Sequence, residues 1–96
     1  MGLAEKAKLA PDSPGVYVFR DASGTPLYIG KAKNIKNRVA SYFGSGLLDR
    51  TRQMIASARF LDFFVTDSEA EALLLESSLI KQHYPKYNIE LKDNEK

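Results

Sequence analysis

Ninety-six residues, 44% hydrophobic and 27% charged, are enough for one small domain with a single core and leave no room for a second. The absence of cysteine excludes disulfide scaffolds, zinc fingers, iron–sulfur clusters and thiol nucleophiles, and a lone histidine excludes a multi-histidine site, so any metal must be held by oxygen. No apolar run approaches the ~20 residues of a membrane span and no signal peptide opens the chain, which reads as cytoplasmic, although a chain without cysteines is also compatible with export.

The net charge of +2 conceals a strong division. Residues 31–59 carry Lys31, Lys33, Lys36, Arg38, Arg50, Arg52 and Arg59 against Asp49 alone, whereas residues 60–76 hold Asp62, Asp67, Glu69, Glu71 and Glu76 and no base. A basic middle facing a polyanion, next to an acidic stretch able to hold a divalent cation, is what a nuclease needs. On charge alone the plainer reading, two solvated surfaces of opposite sign, is preferred.

In chain order, Met1 to Ser13 lacks a full helical stripe and reads as a short helix or frayed arm, ended by Pro11 and Pro14. Gly15 to Arg20 and Pro26 to Gly30 alternate around β-branched and aromatic residues and predict a hairpin across a five-residue loop. Period two places Val16, Val18, Leu27 and Ile29 on one face, the expected core face, and sends Tyr17 and Tyr28 to the other, within reach of each other. Asn34 is an N-cap for a helix to about Phe43, with Ile35, Val39 and Phe43 on one stripe and Arg38 and Tyr42 flanking it. Gly44-Ser45-Gly46 breaks that helix, and a second from about Leu48 to Ala58 turns Leu48, Thr51, Ile55 and Ala58 inward and Arg50 and Arg52 outward. Those arginines suit phosphate contacts or plain solvation equally.

Phe60 to Thr66 reads as a third strand with Leu61, Phe63 and Val65 on one face and Asp62 on the other. Ser68 and Glu71 form a capping box that opens a long helix stopped by Pro85. Around that helix Ala72, Leu73, Leu75, Leu79 and Ile80 define an apolar arc, and Glu76 falls inside it, about 40° from Ala72. A carboxylate on such a face requires compensation, either a salt bridge to a residue such as Arg38 or a metal ion. Beyond it, Ile89 and Leu91 are expected to anchor the returning chain, and the charged residues 92–96 to be mobile. The core is expected to run from about residue 10 to residue 91.

Gly15-Val16-Tyr17, ten residues, then Tyr28-Ile29-Gly30 resembles the signature of the GIY-YIG nuclease superfamily. Lys31-Ala32-Lys33-Asn34, Arg38, Tyr42, the run from Glu71 to Glu76, Leu79-Ile80-Lys81 and Pro85-Lys86-Tyr87-Asn88 extend the resemblance toward one branch. That branch is the N-terminal domain of UvrC, the incision subunit of bacterial nucleotide excision repair. The resemblance covers roughly residues 10–93 with no departure at a motif position. It implies an α/β (α+β) domain with a three-stranded antiparallel sheet flanked by helices, in agreement with the three strands read independently. It also implies a magnesium- or manganese-dependent endonuclease cutting DNA on the 3′ side of a lesion, and a chain that is a fragment of a longer protein. DNA is the implied partner, with a UvrB–DNA complex reached through the full-length protein; no membrane is involved and the isolated domain is expected to be monomeric.

By the same resemblance Glu76 is the sole protein ligand of one divalent ion. Tyr28 is the general base for water, and because a phenol of pKa ~10 is a poor base at neutral pH, Lys31, Arg38 or a water of the ion's shell must favour its deprotonation or relay its proton. Arg38 places positive charge against the phosphoryl oxygens, Tyr17 and Tyr42 order water, Asn88 hydrogen-bonds within the site, and Gly30 permits close backbone approach. Lys31, Lys33, Lys36, Arg38, Arg50 and Arg52 are the expected DNA contacts. His83, the rival base, sits at a helix end far from Glu76. Two alternatives remain: a stand-alone or homing-type GIY-YIG endonuclease, and a DNA-binding or docking module that does not cut.

Overall fold

The hairpin forms because two short runs of β-branched and aromatic residues are joined by a loop that closes on itself: Asp21 Oδ1 accepts the N–H groups of Ser23 and Thr25, both at 3.0 Å. The computed structural model describes residues 2–89. Its elements are α1 (Leu3–Lys8), β1 (Gly15–Arg20), β2 (Pro26–Ala32), α2 (Ile35–Ala40) continued by a 3-10 turn (Ser41–Phe43), α3 (Asp49–Ser57), β3 (Phe60–Val65) and α4 (Glu69–His83). The three strands form one antiparallel sheet in the order β2-β1-β3, so β1 is central.

Both faces of that sheet are buried. Val16, Val18 and Ile29 pack under Ala72, Leu75, Leu79 and Ile80 of α4. Tyr17 and Phe19 belong to a second cluster with Ile35, Val39, Tyr42, Met54 and Leu61. The expectation of one core face therefore gives way to two, and Leu27 joins the second cluster. The register explains Leu27: Phe19 pairs with Tyr28 and Arg20 with Pro26, which leaves Leu27 without a β1 partner, out of the simple alternation.

Other departures have equally local causes. The N-terminal arm is part of the fold, since Ala7 and Ala10 are buried in the second cluster, so the core begins before residue 10. In α3 the buried anchor is Met54, on the stripe of Thr51 and Ala58, while Leu48 precedes the helix in extended conformation and is 72% exposed. Val65 is 60% exposed because it pairs with Gly15, which has no side chain to cover it. Leu73, at the margin of the α4 arc, is half exposed. Ser68 caps α4 by accepting the Glu71 N–H at 3.1 Å, and Tyr84, in the left-handed region at φ 45°, ends it. Residues 86–89 make a further helical turn in which Tyr87 and Asn88, with Pro85 before them, are buried; Ile89 is exposed and does not anchor the chain. Leu91 and residues 92–96 lie outside the described residues. No described helix is long and apolar enough to cross a membrane.

Candidate active site

The outer edge of β2 gathers the singled-out residues. In an antiparallel edge strand every second residue turns both backbone polar groups away from its neighbour, and these need partners. Ile29 is such a residue: its N–H donates to Asn88 Oδ1 and its carbonyl accepts from Asn88 Nδ2, each at 2.8 Å. Lys31 is the next, and its N–H donates to Glu76 Oε2 at 3.1 Å. Asn88 thus hydrogen-bonds to the backbone of the strand that carries the tyrosine motif. Glu76 is half-buried, and the compensation it finds is a backbone N–H. Arg38, the anticipated salt-bridge partner, directs its Nε to Tyr17 Oη at 3.5 Å instead.

On the other side of β2 three tyrosines converge. Tyr17 and Tyr42 share a 2.6 Å hydrogen bond between hydroxyls, and the ring of Tyr28 lies 6.3 Å from that of Tyr17 and 6.5 Å from that of Tyr42. Gly30 makes this possible. A Cβ there would stand 2.3 Å from Tyr17 Oη, so the close approach is made by a neighbouring ring. Asn34 caps α2 by accepting the Asn37 N–H, which sets the helix turn that aims Arg38 at the cluster.

Burial pushes Tyr28 up to about 12, with Tyr17 and Glu76 acting in the same direction and Arg38 opposing them. Tyr17 and Tyr42 are likewise raised, chiefly by burial, while the Tyr42 and Arg38 hydrogen bonds draw Tyr17 back down. The bond to Tyr17 raises Arg38. The expectation that Arg38 or Lys31 makes Tyr28 acidic is therefore not met by the protein alone, because desolvation outweighs the guanidinium.

A groove of about 540 Å³ beside the cluster is lined by Lys31, Lys33, Asn34, Asn37, Arg38 and Glu69, among others. Lys36 is not part of it: its ammonium lies 4.0 Å from Asp12. Nor are Arg50 and Arg52 of α3, the latter paired with Asp49 one turn before it. Glu69 was not anticipated as part of the site. Its Oε1 stands 3.9 Å from Lys31 Nζ, and its position seven residues before Glu76, on the same helical face, was the available signal. His83 lies exposed at the end of α4 and does not line the groove.

No group of three or more histidine, cysteine, aspartate or glutamate side chains able to hold a metal occurs among the described residues. The donor set fits a hard cation that keeps most of its water: one half-buried carboxylate, oriented by the Lys31 N–H and close enough to Tyr28 for its charge to be felt there.

The model of the UvrC-like GIY-YIG domain matches residues 13–89. UvrABC system protein C of Symbiobacterium thermophilum is 52% identical over 96 residues, covering 98% of this chain and 15% of that protein. Its counterpart in Carboxydothermus hydrogenoformans is 53% identical, covering 98% and 16%. The chain thus spans about 15% of the length of these curated relatives. Among solved structures, the GIY-YIG N-terminal endonuclease domain of UvrC from Thermotoga maritima, bound to its catalytic magnesium, matches with a TM-score of 0.80 at 42% identity, over 86% of this chain and 91% of that one. An asparagine-to-alanine variant of that domain, also bound to its catalytic divalent cation, matches with a TM-score of 0.81. Signature strands, tyrosine cluster and helix-borne glutamate lie within the matched span, and the chain belongs to the UvrC-like GIY-YIG domain family.

Proposed function

We propose that residues 1–96 form a single metal-dependent endonuclease domain that hydrolyses a DNA phosphodiester on the 3′ side of a lesion in bacterial nucleotide excision repair, acting with a UvrB–DNA complex as part of a longer cytoplasmic protein. The observation that carries this reading is the meeting of Glu76, Tyr28, Tyr17, Tyr42 and Arg38 around the β2 edge, beside a groove lined by Lys31, Lys33 and Arg38. The magnesium in the Thermotoga maritima domain supports the choice of cofactor, and manganese is the expected substitute.

Glu76 would hold the cation. When bound, a divalent ion supplies Lewis-acid stabilisation of the phosphoryl and leaving oxygens. Arg38, whose guanidinium is anchored by Tyr17, presents positive charge where it accumulates on the phosphoryl group. Tyr28 would act as a relay, its oxygen accepting a proton from the attacking water as its own phenol proton passes to solvent. With burial pushing its phenol up to about 12, the resting group at pH 7 is a phenol. Burial chiefly keeps it so, with the charges of Tyr17 and, least of all, Glu76 adding to it. Tyr42 and Tyr17, linked hydroxyl to hydroxyl, hold Arg38 and the proton-bearing face of Tyr28 in a fixed relation.

The test is an incision assay within the full repair assembly, read with magnesium and with manganese. Glu76→Gln keeps an acceptor for the Lys31 N–H, so it is expected to preserve the melting temperature while abolishing 3′ cutting and manganese binding. Tyr28→Phe is expected to abolish cutting and His83→Ala to leave it intact. Undiminished cutting by Glu76→Gln, or the opposite pattern for Tyr28 and His83, refutes the assignment.

A further inference from the structure

Lys31 is held by α4 at both of its ends. Its N–H meets Glu76 Oε2 and its ammonium stands 3.9 Å from Glu69 Oε1. The two glutamates are seven residues apart, which sets them within about 20° of each other around the helix and about 10 Å apart along it, a distance an extended lysine can bridge. Glu76 has a place in the chemistry, but Glu69 has none. The cap of α4 is supplied by Ser68 on the Glu71 N–H. Glu69 nonetheless lines the groove with Lys31, Lys33 and Arg38, a carboxylate set into a surface whose other charges suit phosphate. A carboxylate there repels a DNA backbone, and it also occupies one of the few cations the groove possesses.

Building on the reading of this groove as a DNA site, we propose that Glu69 is an internal competitor for backbone phosphate: it holds the Lys31 ammonium in the DNA-free domain and so limits how tightly the groove grips DNA on its own. Both side chains are partly exposed, 36% and 47%, so the pair is weak enough to exchange for a phosphate. Lys33 and Arg38 supply the initial attraction, and Lys31 is recruited when a phosphate is driven close enough to displace Glu69. The device suits a nuclease whose DNA is presented by a partner, because it penalises unaided binding by the cutting domain.

The test measures binding of the 96-residue chain to a short fluorescent DNA duplex by anisotropy, in the presence of EDTA and across a range of potassium chloride concentrations. Glu69→Gln is expected to tighten binding about fivefold at low salt, the scale of an exposed ion pair. It is also expected to steepen the log–log salt dependence by about 0.9, as one additional phosphate contact requires. Glu71→Gln removes the same charge about 200° around the helix and is expected to do neither. In a Lys31→Gln background, Glu69→Gln is expected to give no gain. A Glu69→Gln effect that equals that of Glu71→Gln, or that persists without Lys31, overturns the proposal while leaving the groove as a DNA site. Absence of DNA binding by every variant overturns the reading of the groove itself.

Discussion

A Cβ on Gly30 would meet the Tyr17 hydroxyl at 2.3 Å and two ring carbons at 2.4 and 2.9 Å, and the ring is fully buried. Neither partner can yield cheaply: one is strand backbone, the other a core side chain tied to Tyr42 and Arg38. Gly30→Ala is therefore expected to cost about 1–3 kcal/mol by overpacking, to shift the near-ultraviolet dichroism of the tyrosines and to abolish cutting. Gly24→Ala is the control. Its φ of +87° makes any side chain strained, yet nothing lies within 4 Å, so it should cost about 1–2 kcal/mol and leave both the tyrosine signal and cutting unchanged. If the two variants behaved alike, Gly30 would be a conformational glycine only. The residue was legible in the sequence as a close-approach glycine, but the approaching group was not. Tyr17 pairs with Gly30 across the hairpin, and only the register reveals that its phenol reaches over the glycine.

At the scale of elements, β2 is an edge strand whose outward backbone is closed by side chains from remote parts of the chain, Asn88 on Ile29 and Glu76 on Lys31. Since Ile29 lies between Tyr28 and Gly30, the buried amide of Asn88 holds the strand that carries the tyrosine motif. Asn88→Ala removes a donor and an acceptor together and exposes two buried backbone groups to an empty site. The expected loss is about 2–4 kcal/mol, with faster hydrogen exchange at Ile29 and weaker cutting. Asn88→Asp keeps the acceptor for the Ile29 N–H but sets a carboxylate against its carbonyl, so it should rescue little. Unchanged exchange at Ile29 in Asn88→Ala would sink this account. Strand and helix positions were largely legible, down to Asn34 and Ser68 as caps, because those signals are local. The clasp was not, because 59 residues separate Asn88 from Ile29 and nothing near either marks the pairing. The same limit hid the contact of Lys31 with Glu69, whereas the bulge at Leu27 is local to the hairpin and is set by which residues of its loop close the turn.

For the molecule as a whole, the single core face expected from strict alternation is overturned because β1 is central and covered on both faces, and the unbroken apolar run Val16-Tyr17-Val18-Phe19 is the signal that such an alternation misses. The basic segment was legible as charge but not as a surface. Folding sends Lys31, Lys33 and Arg38 to the groove, Lys36 to Asp12 and Arg52 to Asp49. What the fold concentrates instead is phenol. Tyr17, Tyr28 and Tyr42 are all raised above the usual 10, chiefly by burial, and Tyr28 reaches about 12. Because the folded form of Tyr28 keeps its proton longer, its contribution to stability is fully present below pH 10. As pH rises toward 12 the unfolded chain ionises first, and that contribution is lost. For Tyr28 alone the loss amounts to on the order of 2–3 kcal/mol, from the gap between about 10 and about 12. Denaturant unfolding measured across that window should show stability falling steeply as the pH climbs. Tyr28→Phe, which has no proton to release, should fall less steeply over the same range and cross the native chain's curve. Parallel curves would mean that Tyr28 ionises as readily in the folded domain as in the open chain, and the desolvated tyrosine cluster would then be wrong as a description of this site.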